Sequence, residues 1–146
     1  MPARTQFLIV TPGAVKFQGD AEIVVAPGSA GDLGALPQHA PLLTTLRSGA
    51  VRATVVNAGS GGDGKTATER IEFAVDGGFM EVLPDKVIIL TDVALSRDEI
   101  DVEQVRAELK RAEEALAQKR GSDDTAERRA IAWAHACLEV AHRPTV

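Results

Sequence analysis

The sequence predicts an all-β N-terminal half, a sandwich or barrel, followed by a C-terminal antiparallel α-helical hairpin. Three observations carry this expectation. Short apolar or alternating runs, separated by turn residues, fill the chain up to about Val93. Turn signals at this spacing leave no room for the helix of a parallel crossover. From about Ser96 the apolar period becomes that of a helix. The expected boundaries are 1–93 for the sandwich and 94–146 for the hairpin.

The strands are read in order from Phe7-Val10, Ala21-Ala26, Val51-Val56, Glu69-Val75, Phe79-Leu83 and Val87-Leu90. Thr11-Pro12-Gly13, Gly19-Asp20, Pro27-Gly28-Ser29, Gly49, Asp76-Gly77-Gly78 and Pro84-Asp85-Lys86 are read as the turns between them. Ile71, Phe73 and Val75 share one face while Arg70, Glu72 and Ala74 point the other way, as in a half-buried antiparallel strand. In the first helix Val102, Val105, Leu109, Ala112 and Leu116 form one narrow stripe. Either Asp101 with Gln104 or Ser96 with Glu99 can cap its start. Lys119 and Arg120 complement the helix dipole at its end. Gly121-Ser122-Asp123 turns the chain, and Asp123 or Asp124 can cap a second helix. That helix carries Ala130, Ile131, Ala134, Cys137, Leu138 and Ala141 along one side, and Arg143-Pro144 ends it. An alanine-rich seam buries little apolar area at ~25 cal/mol per Å². Such a hairpin is either a detachable element or a permanently packed cap, and its composition leaves both open.

Composition narrows the function classes. The chain has 146 residues, 45% hydrophobic and 25% charged, the mix of a folded globular protein. No apolar run approaches the ~18 residues of a membrane span, and Phe7-Val10 is too short for a secretory signal. The single Cys137 cannot form an internal disulfide, in keeping with a reducing cytoplasm. A net charge of −5 with 3% aromatics argues against nucleic acid as a partner.

Gly59-Ser60-Gly61-Gly62-Asp63-Gly64-Lys65-Thr66 matches the phosphate-binding pattern G-x-x-x-x-G-K-[ST] at every fixed position. It opens the alternative of a P-loop NTPase or small kinase using Gly59-Thr66. Such a loop must open a helix whose N-terminus helps bind phosphate. Here Thr66 is followed by Ala67-Thr68-Glu69-Arg70-Ile71-Glu72-Phe73, which alternates with period two. The segment therefore reads as a long glycine-rich loop between antiparallel strands.

The densest run of unusual residues is Gly31-Asp32-Leu33-Gly34-Ala35-Leu36-Pro37-Gln38-His39-Ala40-Pro41-Leu42-Leu43-Thr44. With Leu46-Arg47-Ser48-Gly49, the later Gly77-Gly78-Phe79-Met80-Glu81-Val82 and the opening Phe7-Leu8-Ile9-Val10-Thr11-Pro12, it resembles the epsilon subunit of F-type ATP synthase, called delta in mitochondria. The resemblance extends over nearly the whole chain, including the change from strands to helices. Gln38 stands where many members have Gly, a difference expected to alter a turn and leave the fold intact. The Gly59-Lys65 loop is longer than usual for the family. The second helix ends soon after Ala141 without an extended basic tail, which weakens the expectation of tail-mediated inhibition.

The resemblance implies that the all-β half is a sandwich of about ten strands, and that the chain is a non-catalytic rotor subunit of the central stalk, without cofactor or metal. It implies gamma and the c ring as partners, transient contact with the alpha and beta subunits, and a peripheral place on the cytoplasmic face of the inner membrane. It also implies a hairpin that lies on the sandwich or extends along gamma to block ATP hydrolysis. Some relatives bind ATP through an [IL]-D-x-x-R-A motif, of which Val102-Glu103-Gln104-Val105-Arg106-Ala107 keeps the last two residues. Glu103, Arg106, Arg128 and Arg129 are the residues that would make weak ATP contacts, and otherwise they are solvated helix charges. Asp32 and His39 are read either as contacts to gamma or the c ring or as turn-stabilising groups. Arg128 and Arg129 are also expected to meet acidic residues of the catalytic head when the hairpin extends. His135, His142 and Cys137 are too sparse for a zinc site, and Trp133 reads as packing.

Overall fold

Alternation builds the first strand. In β1 (Thr5–Thr11) Phe7 and Ile9 are fully buried while Gln6 is exposed and Leu8 half-buried, as a strand with one face in a core requires. β2 (Ala14–Gly28), β3 (Gly31–Ala35), β4 (Leu42–Asn57), β5 (Ala67–Leu83), β6 (Lys86–Leu90) and β7 (Ala94–Ser96) follow. The computed structural model describes residues 3–57 and 67–143. The sheet order is β1-β6-β5-β4-β2-β3; β1 also pairs with β2, and β7 pairs with β5. Only β1–β6 is parallel among these pairings.

Three expected turns are bends in continuous strands. β2 runs through Gly19-Asp20, β4 through Gly49, and β5 through Asp76-Gly77-Gly78. Divided at these bends, residues 5–11, 14–21, 42–48, 76–83 and 86–90 pair into one layer. Residues 23–28, 31–35, 49–57, 67–75 and 94–96 pair into the other. The expected ten strands are thus ten segments of seven hydrogen-bonded strands. Glycine serves a bend as well as a turn: Gly77 and Gly78 take φ of 74° and 115°, reached without a Cβ penalty. Composition alone could not separate the two uses.

Phe7, Ile9, Val24, Val51, Met80 and Ile89 meet between the layers, and the Phe7 and Phe17 rings lie 5.6 Å apart. Residues 94–96, expected at the start of the hairpin, are instead the last strand of the sandwich, paired with Phe73–Val75. A three-residue strand is too short for its alternation to register in a sequence. Both expected caps exist. The Ser96 hydroxyl and N–H donate to Glu99 Oε1 at 3.0 and 3.1 Å, capping a 3-10 turn at Arg97–Glu99. Asp101 Oδ1 accepts from Gln104 N at 3.2 Å and caps α1 (Val102–Gln118).

Val102, Val105, Leu109, Ala112 and Leu116 are the half-buried positions of α1, as its stripe predicts. α2 (Thr125–His142) departs from expectation. Ala134 and Cys137 are buried, but so are Ala136 and Val140, and Ala130 is exposed. α2 has two neighbours, with α1 on one side and the outer face of the second layer on the other. There Ala136, Cys137 and Val140 meet Ala50 and Ala74. A stripe read for a single partner misses the second contact.

Candidate functional site

The two outer faces of the sandwich have different fates. α2 covers the second layer at Ala50 and Ala74, where small side chains on both sides allow a close approach. The first layer carries no such cover among the described residues. Its register aligns Thr45, Phe79, Leu90, Val10 and Val15 across neighbouring strands, and beside them Leu43, Glu81, Ile88 and Leu8. Leu43 is 67% exposed, Val15 55%, Phe79 52% and Leu90 50%. A continuous apolar face with Glu81 as its one acidic residue is the kind of surface that a protein partner covers. The segment readings found the strands of Val10, Phe79 and Leu90, but neither the stretches that carry Val15 and Leu43 nor the face itself. Its signal is the apolar residue at the outward position of each of five strands, which emerges only once the register aligns them.

The hallmark segment lies at one end of the sandwich. Leu36 is 58% exposed in the loop between β3 and β4. Gln38 sits in the left-handed region at φ 65°, the conformation a glycine adopts freely, and its N–H donates to Pro84 O at 2.6 Å. His39 Nδ1 lies 2.6 Å from Ala40 O; since a carbonyl only accepts, Nδ1 is the donor. Asp32, on β3, takes Arg47 at 2.6 Å and Arg52 at 3.4 Å. Both residues therefore have local polar partners while remaining near or at the surface.

Ion pairs tie the hairpin to the sandwich beside its apolar contact. Arg143 reaches Glu72 on β5 at 2.7 Å, and Arg129 reaches Asp76 at 3.4 Å. Lys16 meets Glu99 at 2.7 Å, and its bond to Glu99 holds that carboxyl below its usual range. Partly exposed pairs of this kind contribute about 1 kcal/mol or less each. Arg128 pairs with Asp124 within its own helix at 2.9 Å. At the other end of the hairpin Arg106 Nη2 lies 3.3 Å from His142 Nε2. Arg128 and Arg129 are separated from His142 by about 20 Å of helix rise. The docked hairpin therefore does not gather Glu103, Arg106, Arg128 and Arg129 around one ligand. They share a sequence neighbourhood on each helix, but antiparallel packing puts them at opposite ends.

His135 is exposed, and Cys137, on the buried face of α2, is 1% exposed. Burial, with Glu108 and Asp76 nearby, raises the Cys137 thiol from 9.0 to about 11. The neutral thiol is the form the docked hairpin favours. The packing of α2 on the sheet is therefore favoured below pH 9 and weakens as pH rises toward 11. Alkylation at pH 8 is therefore expected to be slow in the intact chain. Arg143→Glu, which sets like charges against Glu72, should speed it about tenfold, equivalent to about 1.4 kcal/mol. An unchanged rate would mean that this ion pair does not hold the hairpin down.

The segment Gly59–Thr66 lies outside the described residues. Ala67, which would continue into the helix of a phosphate-binding loop, begins β5 and pairs with Asn57 of the antiparallel neighbour β4. No helix among the described residues is long and apolar enough to cross a membrane.

Residues 4–97 match the family model of the ATP synthase delta/epsilon chain, beta-sandwich domain. The chain is 44% identical over 131 residues to an ATP synthase epsilon chain of Desulforamulus reducens, covering 89% of this chain and 90% of that one. It is 43% identical to the epsilon chain of Moorella thermoacetica, covering 85% and 89%. In fold it is similar to a chain of the Euglena gracilis mitochondrial ATP synthase, with a TM-score of 0.76 at 20% identity, covering 98% and 84%. A chain of the Tetrahymena thermophila mitochondrial ATP synthase central stalk and c ring superposes with a TM-score of 0.60 at 15% identity, covering 94% and 96%. Sandwich, bends, hairpin and sequence agree, and the chain belongs to the ATP synthase delta/epsilon chain family.

Proposed function

We propose that this chain is a non-catalytic rotor subunit that couples gamma to the c ring of a proton-transporting ATP synthase. It acts at the cytoplasmic face of the membrane without entering it. The observation that supports this reading is the uncovered apolar face of Leu8, Val10, Val15, Leu43, Phe79, Ile88 and Leu90, opposite the face that α2 covers. Gamma is assigned to that face, because torque transfer needs a broad, rigid contact and a closed two-layer body supplies one. The loop that carries Leu36 and His39, together with Asp32, is assigned to gamma or the c ring. Co-purification with gamma tests the coupling role. Failure of the full chain to bind gamma would overturn it.

The hairpin is the regulatory part of the proposal. Its seam of small residues and its partly exposed ion pairs make departure from the sandwich inexpensive. Once extended, Arg128 and Arg129 are free to meet acidic groups of the catalytic head. Removing residues 97–146 should raise ATP hydrolysis by the reconstituted complex several-fold, and Arg128→Glu with Arg129→Glu should reproduce most of that rise. Equal hydrolysis with and without the hairpin would rule out inhibition by it. ATP itself is expected to bind the isolated chain weakly or not at all through Glu103 and Arg106. Calorimetry that found micromolar binding abolished by Arg106→Ala would reverse that reading.

A further inference from the structure

The outer face of the second layer is only partly covered by α2. Beyond Ala50 and Ala74 the sheet carries a half-enclosed cavity of about 500 Å³, within the range of small-molecule sites. Ile23 and Val25 of β2, both half-buried, form its apolar side. Arg52 and Arg70 enter from the two neighbouring strands, and Arg97 and Arg143 enter from the hairpin.

The charge is unbalanced. Four guanidinium groups line the cavity against one carboxylate, Glu72, in a chain whose net charge is −5. Glu72 Oε1 is taken by Arg143 at 2.7 Å. Arg52 reaches Asp32 only at 3.4 Å, and that carboxylate has Arg47 closer, at 2.6 Å. Arg70 makes no hydrogen bond or ion pair among the described residues. Its pairing partner in the register is Thr54, which offers no charge. Arginine forks match oxyanions through paired parallel N–H donors, so the unused donors of Arg52 and Arg70 are suited to a phosphate.

We propose that this cavity binds a small organic phosphate. Its anionic group lies between Arg52 and Arg70, and a flat apolar group rests on Ile23 and Val25. Arg97 and Arg143, the latter held by Glu72 and Glu139, close the hairpin side of a recess whose low-dielectric walls make attraction exceed that on an open surface. The site is separate from Arg106, Arg128 and Arg129 and does not depend on the coupling role.

The test uses the full chain and 1-naphthyl phosphate, with 1-naphthol and inorganic phosphate as partial probes. Amide shifts in an NMR titration are expected at Ile23, Val25, Arg52 and Arg70, with millimolar or tighter binding that weakens as salt is raised. Each partial probe should bind at least tenfold more weakly. Arg52→Gln with Arg70→Gln, both on the solvent side of the sheet, should lower affinity at least tenfold and leave the thermal midpoint within a few degrees. Arg106→Ala should change nothing. Absence of shifts, shifts confined to the helices, or binding that survives the double substitution would each overturn the proposal.

Discussion

Replacing Gly78 by alanine is expected to be the most damaging single change in the sandwich. Gly78 has φ of 115°, and a Cβ there would run into Leu90 O, with Thr91 Cα 3.0 Å away. Both obstacles are backbone atoms of the neighbouring strand and its end, so no side chain can rotate aside. The bend that carries β5 from one layer to the other would have to open. Strain of this kind costs about 3 kcal/mol or more. At about 4 °C per kcal/mol for a domain of this size, the thermal midpoint should fall by roughly 12 °C or more. Gly13 supplies the control, because an added Cβ there meets nothing within 4 Å. Gly13→Ala should shift the midpoint by no more than a degree or two, and equal effects at the two sites would refute the steric argument.

Charging the uncovered face should abolish attachment to gamma while leaving the fold intact. Phe79 and Leu90 are directly paired across β5 and β6. Phe79→Lys with Leu90→Glu puts opposite charges on a cross-strand pair, which preserves sheet pairing. Both positions are half exposed, so midpoint changes should be small. At an interface the two charges would lose water without matching partners, and an aromatic anchor would be lost as well. Anchors near the centre of an interface carry about 2–4 kcal/mol, so affinity for gamma should drop at least about 30-fold. Unchanged affinity in a pull-down or titration would move the interface to another face.

The two experiments separate what a glycine does from what an exposed aromatic does. The sequence contains both signals in one short stretch, Gly77-Gly78-Phe79. Its glycines were legible as a change of chain direction. Whether that change ends a strand or bends it depends on the next strand, because only the β5 pairing with β4 on both sides of residue 77 makes it a bend. Phe79 was legible as part of a strand, yet its outward direction depends on register, since a shift of one residue would have buried it.

The helices show the same division. The α1 stripe was complete in the sequence because α1 has one main neighbour, and a single period describes a single contact. α2 touches α1 and the sandwich, so its buried set is the union of two faces, and Ala136 and Val140 were missed. The proposed site residues divided likewise. Asp32 and His39 fell in a segment marked by its Gly and Pro density, whereas Arg52, Arg70, Arg97 and Arg143 are scattered over ninety-odd positions and share no motif.

By itself the sequence determined the element types, the two-part organisation and family membership, because alternation, helical period and turn chemistry act over a few residues along the chain. The tertiary structure decided which turns are bends, which outer face stays bare, and which distant arginines converge. Those outcomes depend on pairing between strands and on the docking of one layer against another, and such contacts leave no periodic trace in the segments that make them.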